Sequence, residues 1–109
     1  MKYLFPENFY WGGASSALQT EGSDTSRGKT TMDKFFEEAP TRFYNGMGPG
    51  KLSNFYENYA EDIALLKKAG LNSLRFSISW ARLIPGGRGE ADREAVEYYN
   101  RVIDEFEKN

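Results

Sequence analysis

The sequence predicts an α/β fold built on parallel strands, and three observations carry that reading. A small-residue strand near the start is followed, after a long loop, by an amphipathic helix. A strictly alternating run comes next, then a second amphipathic helix. Strands that alternate with helices of this kind assemble into a parallel sheet through right-handed crossovers. Two strands and two helices are too few to cover both faces of such a sheet. The 109 residues are well under half of the ~250 that an eight-stranded α/β barrel needs.

The first strand is read at residues 10–14. Phe-Tyr-Trp-Gly-Gly-Ala-Ser-Ser-Ala (9–17) is a short aromatic run dissolving into small residues. It reads as a buried strand ending where Gly12 and Gly13 let another backbone or a ligand approach closely. Residues 21–51 form a long polar stretch carrying Gly22, Gly28, Gly46, Gly48 and Gly50, with one helix-like interruption at 32–38. Loops of this length usually line a site or belong to a larger structure.

The first long helix has Ser53 or Asn54 as its cap and Phe55, Tyr59, Ile63 and Leu66 on one stripe. Gly70 marks its left-handed stop, and Lys67 and Lys68 complement the dipole in its last turn. Leu-Arg-Phe-Ser-Ile-Ser-Trp (74–80) then alternates with period two, which predicts a strand over all seven residues. After a turn-rich loop at 83–89, Asp92 caps a second helix with Val96, Tyr99, Ile103 and Phe106 as its stripe.

Composition excludes several functions. The chain has no His and no Cys, which removes the usual zinc and copper sites, disulfides, thiolate nucleophiles and imidazole triads. No metal site and no cofactor is expected. A net charge of −2 offers no electrostatic attraction for nucleic acid or an anionic membrane. The start lacks a signal-peptide core and no run approaches a membrane span, so a soluble, cytoplasmic polypeptide is expected. Aromatics are 16% of the residues, a share that suits a core but also suits carbohydrate platforms.

Two positions stand out chemically. The alternating run puts Leu74, Phe76, Ile78 and Trp80 on one face and Arg75, Ser77 and Ser79 on the other. If the apolar face lies under helices, Arg75 points into an enclosed interior, where a guanidinium requires a carboxylate nearby. In an open sheet it would face water instead. Gln19, in Ala-Leu-Gln-Thr-Glu-Gly (17–22), offers donor and acceptor together and so suits two neighbouring sugar hydroxyls; a surface loop is the plainer alternative. Glu21 shows no evident partner, and Glu61 and Asp62, adjacent on a helix, do not face each other.

The run from Phe5 to Gly22 resembles the N-terminal signature of glycoside hydrolase family 1. Phe55-Tyr56, Tyr59, Glu61-Asp62-Ile63, Leu66, Gly70 and the run from Asn72 to Leu83 resemble its first barrel helix and second strand. Tyr98-Tyr99-Asn100 with Ile103-Asp104 resembles its second helix. The chain departs from the family at Met32, where a Trp is common, and near Phe55 and Glu57, where a His is frequent.

This resemblance implies the N-terminal portion of a (β/α)8 barrel, about two βα units plus a long first loop, with residues 1–109 belonging to one barrel domain. It also implies an enzyme that hydrolyses β-glycosides with retention, which requires two carboxyl groups about 5 Å apart. Gln19 matches the glutamine that binds the sugar in the cleavage subsite. Arg75 matches the arginine that contacts the nucleophile carboxylate and keeps it ionised. Both catalytic glutamates are expected beyond Asn109, so the segment alone is expected to be inactive.

The stretch 36–49 resembles the variant found in bacterial 6-phospho-β-glucosidases, which act in the cytoplasm on sugars phosphorylated during import. The expected partner is therefore a small-molecule β-glycoside or 6-phospho-β-glycoside, with the oligomeric state open. A β-glucosidase or β-galactosidase acting on free sugars, and a non-catalytic carbohydrate-binding fragment, are the alternatives.

Overall fold

The computed structural model describes residues 2–22 and 27–109. Residues 23–26 of the long loop lie outside the described residues.

Two short parallel strands, β1 (Gly12–Ala14) and β2 (Ser73–Arg75), pair in the register Gly12↔Ser73, Gly13↔Leu74 and Ala14↔Arg75. The helices are α1 (Ala17–Thr20), α2 (Thr31–Glu38), α3 (Phe55–Lys68), α4 (Trp80–Leu83) and α5 (Arg93–Lys108). Two short 3-10 turns, Pro40–Arg42 and Tyr44–Gly46, follow α2. Gly12 behaves as expected for a close backbone approach: a Cβ there would stand 2.1 Å from the Ser73 carbonyl oxygen. Asn72 extends the pairing below the strands. Its backbone N–H donates to the Trp11 carbonyl, while its side chain accepts from the Trp11 N–H at 2.7 Å and donates to the Phe9 carbonyl.

The core lies on one side of the sheet, between α3 and α5, and consists of Phe55, Ile63, Tyr98, Tyr99 and Val102. Phe76 and Phe106 pack against it with their rings 5.4 Å apart. The capping expectations hold for α5 and for the end of α3. The Asp92 side chain accepts from the Ala95 N–H at 2.9 Å, and Gly70 takes φ +85°. Asn54 occupies the cap position of α3 in left-handed geometry, without a side-chain cap bond. The interruption at 32–38 is α2, closed by a capping box between Thr30 and Asp33.

Four expectations are corrected. The second strand stops at Arg75 rather than running to Trp80. Beyond Ala14 the first strand turns away: the Ser15 N–H takes the Arg75 carbonyl, and the following residues enter α1, so among the described residues 76–79 have no strand to pair with. Ser79 instead caps α4, accepting from the Arg82 N–H, and Trp80 becomes the first residue of that helix with 60% of its surface exposed. The first strand begins at Gly12 and is exposed, because α3 and α5 pack below β2 and no described element covers β1.

The stripe of α5 is also displaced. Ala95, Tyr98, Tyr99 and Val102 are buried, whereas Val96 and Ile103 are exposed. The true apolar face runs one position to the side because two consecutive tyrosines both face inward, a choice that helical spacing alone leaves open. Finally, Glu21 is buried and paired.

Candidate active site

In parallel α/β sheets ligands bind beyond the carboxyl ends of the strands, where the βα loops converge. Here the two carboxyl ends are in register, since Ala14 pairs with Arg75, and Gln19 and Arg75 both lie at that edge. Arg75 is the last residue of β2, and Gln19 sits on the one-turn helix α1 that follows β1.

The alternation read from the sequence survives locally. Leu74 and Phe76 are half-buried and Phe76 lies against the helical core, while Arg75, between them, is exposed on the other face. The described residues do not enclose it. Ile78, expected on the apolar face, is half exposed because the strand has already ended.

Gln19 is exposed and held by its neighbour. The Ser16 hydroxyl donates to Gln19 Oε1 at 3.0 Å. Ser16 occupies the cap position of α1, yet its hydroxyl serves this amide rather than a backbone N–H. The first N–H of α1 is satisfied from the segment after β2 instead, with Ala17 N–H donating to Ser77 Oγ at 2.8 Å. A hollow of about 260 Å³ lies beside this turn, walled by Ala17, Leu18, Met32, Ser77, Ile78 and Trp80.

Behind α1 is a buried polar cluster. Arg82 Nε donates to Glu21 Oε2 at 2.9 Å, and the Tyr99 hydroxyl donates to Glu21 Oε1 at 2.7 Å. The same hydroxyl accepts the Ser79 N–H at 2.7 Å. The Arg82 guanidinium lies 3.9 Å from the Tyr56 ring centroid. Burial, reinforced by the hydrogen bond to Glu21, pushes the Tyr99 phenol well above its usual range, so it remains a proton donor. Sequence reasoning missed this cluster. Its members are 61 and 78 residues apart, and the only signal was a lone carboxylate in the otherwise uncharged run 9–22.

A second ion pair anchors the long loop. Arg27 grips Asp33 in bidentate fashion at 2.7 and 2.9 Å, and Asp33 Oδ2 also accepts from the Thr30 N–H and hydroxyl. The Arg27 hydrogen bond, joined by those from Thr30, overcomes burial and lowers the Asp33 carboxyl to about 2. Glu61 and Asp62 lie on α3, away from the strand ends. Among the described residues no group of three or more Asp or Glu side chains is arranged to hold a metal ion. No helix among them is long and apolar enough to cross a membrane.

The glycosyl hydrolase family 1 model matches residues 1–109. The chain belongs to glycosyl hydrolase family 1. Its fold is therefore a portion of the (β/α)8 barrel, about two βα units, and the family is one of O-glycosyl hydrolases acting on β-glycosides.

Among curated relatives, a 6-phospho-β-glucosidase of Bacillus subtilis is 48% identical over 110 aligned positions, which cover 99% of this chain and 24% of that protein. Beta-glucosidase 24 of Oryza sativa subsp. japonica is 41% identical over 94% of this chain and 21% of its own length. Among solved structures, an aphid myrosinase superposes with a TM-score of 0.89 at 32% identity, over 97% of this chain and 24% of that one. A psychrophilic β-glucosidase from Micrococcus antarcticus gives 0.84 at 34% identity, over 97% and 23%. The family 1 segment thus spans about a quarter of the length of these relatives.

Proposed function

We propose that the protein containing this segment is a retaining β-glycosidase, and that its substrate is a 6-phospho-β-glucoside met in the cytoplasm. In this reading residues 1–109 form one part of a single barrel domain. Gln19 hydrogen-bonds two adjacent hydroxyls of the sugar in the cleavage subsite. Arg75 contacts the nucleophile carboxylate and keeps it ionised, since a neighbouring cation lowers a carboxyl pKa. The nucleophile and the acid/base, about 5 Å apart as retention requires, come from strands outside this segment.

The observation that carries the reading is the shared edge: Arg75 ends β2 opposite Ala14, and Gln19 follows the same end of β1, the side on which a barrel binds its substrate. The phosphorylated substrate rests on the 48% identity to a 6-phospho-β-glucosidase and on the stretch 36–49. A second reading, an unphosphorylated β-glucoside, draws on relatives that are plain β-glucosidases.

The test compares an aryl β-glucoside with its 6-phosphate on the full-length enzyme. Preference for the phosphate by at least about 100-fold in kcat/KM is expected, since cationic groups built for it are otherwise left unpaired. Equal or better turnover of the free glucoside sinks the phosphate assignment. In the same enzyme Arg75→Ala lowers kcat strongly. Gln19→Ala costs about 1–3 kcal/mol of transition-state binding if its hydrogen bonds are buried by substrate. An unchanged kcat/KM removes Gln19 from the site.

A further inference from the structure

We infer that Ser77, Glu21, Arg82 and Tyr99 are positioning residues for Gln19, clamping both ends of the single helical turn that carries it. The inference rests on the proposed role of Gln19 in sugar binding.

A turn of four residues has no stability of its own, because helix nucleation fixes several dihedral angles for one hydrogen bond. What holds α1 is therefore outside it. At its start, the Ala17 N–H is taken by Ser77 Oγ at 2.8 Å, two residues beyond Arg75. At its end, the Glu21 N–H closes on the Ala17 carbonyl at 3.0 Å, and the Glu21 carboxylate is seized by Arg82 and Tyr99. Gln19 lies midway between the two anchors with its side chain exposed.

The anchor at the Glu21 end is stiff for three reasons. Glu21 and Arg82 are 3% and 1% exposed, so charge-assisted bonds between them are hardly screened. The Tyr99 hydroxyl both donates to Glu21 and accepts from the Ser79 N–H, which leaves its orientation no alternative. The Arg82 guanidinium lies against the ring of Tyr56 of α3. The network thus ties α1 to α3, α4 and α5 at once. Glu21 is not itself a catalytic carboxylate, since it is buried and engaged on both oxygens. Displacement of a sugar ligand by as little as about 1 Å can cost on the order of 100-fold in rate, so stiffness here has a catalytic consequence.

The experiment is a double-mutant cycle on the full-length enzyme, using whichever of the aryl β-glucoside or its 6-phosphate the wild type hydrolyses. Tyr99→Phe removes the hydroxyl and leaves the ring. It is expected to lower kcat/KM about tenfold when Gln19 is present and less than about twofold in a Gln19→Ala background, the signature of coupled residues. Ser77→Ala, at an exposed position, is expected to lose about threefold with the same dependence on Gln19, and Ser77→Thr to restore it. Should Tyr99→Phe fail to fold, the Ser77 pair carries the test. Equal losses with and without Gln19 mean a merely structural role and overturn the inference. A Gln19→Ala enzyme with unchanged kcat/KM overturns the sugar-binding role itself, a different result.

Discussion

Asp33 and Glu21 show how single side chains set the behaviour of the long first loop and of α1. Asp33 is held by Arg27 and is the box residue of α2, so four hydrogen bonds favour its ionised form. Its folded pKa of about 2 lies below the ordinary 3.8, so the contribution is fully present above pH 4 and is lost as pH falls toward 2. The shift corresponds to roughly 2 kcal/mol. Urea unfolding of wild type and Asp33→Asn should therefore differ at pH 6 and converge near pH 2, and a gap that persists at pH 2 argues against this origin. Glu21 makes a starker case. Glu21→Ala strands the buried Arg82 charge, and a loss of about 3–5 kcal/mol is expected in denaturant unfolding of the full-length enzyme. A cost under about 1 kcal/mol would place the pair in solvent contact.

The elements divide into those whose signals are local and those whose limits are set by neighbours. The start of α5 is local: Asp92→Ala removes the bond to the Ala95 N–H and is expected to cost about 1 kcal/mol, read as a lower unfolding midpoint. Gly70 ends α3 with a positive φ, as its place after two lysines indicated. The strands are different. β2 ends where β1 stops offering hydrogen bonds, and the alternation of Ile78 and Trp80 has no partner to act on. Gly12→Ala drives a Cβ into the Ser73 carbonyl, so the parallel pairing must open. Amide exchange at Gly13 and Ser15, whose N–H groups face β2, should then accelerate by at least about tenfold, because small local openings expose them. Unchanged exchange would mean that the strands can separate without losing protection.

Taken as a body, the chain is open. Its radius of gyration is 16.6 Å, against about 13 Å for a compact domain of this length. Its accessible surface is 8284 Å², against about 6,100 Å² for a folded monomer of this mass. Leu4, Tyr10, Trp11, Ile78 and Trp80 contribute to the excess. A groove of about 640 Å³ between α3 and α5, walled by Ile63, Leu66, Leu74, Ile103 and Phe106, lies at the amino end of β2 and away from the candidate site. Apolar area on this scale calls for cover. The isolated 109-residue chain is accordingly expected to enhance the fluorescence of a hydrophobic dye and to hydrolyse neither an aryl β-glucoside nor its 6-phosphate. Turnover abolished by replacing one of its own carboxylates would refute the second expectation.

Much of this was legible before any coordinates. Helical period, caps and the glycine stop are written within a few residues of one another, so α3, α5 and the order of elements could be read directly. The motif around Gln19 and the one around Arg75 are equally local, which is why the family could be read from them. The partners of Glu21, the truncation of β2 and the inward turn of both Tyr98 and Tyr99 were not. Each depends on which distant surface a side chain meets, and contact between groups more than sixty residues apart leaves no periodic trace in the chain. Desolvation and pairing, which decide whether a carboxylate is a spare surface charge or the anchor of a loop, exist only once the chain has folded.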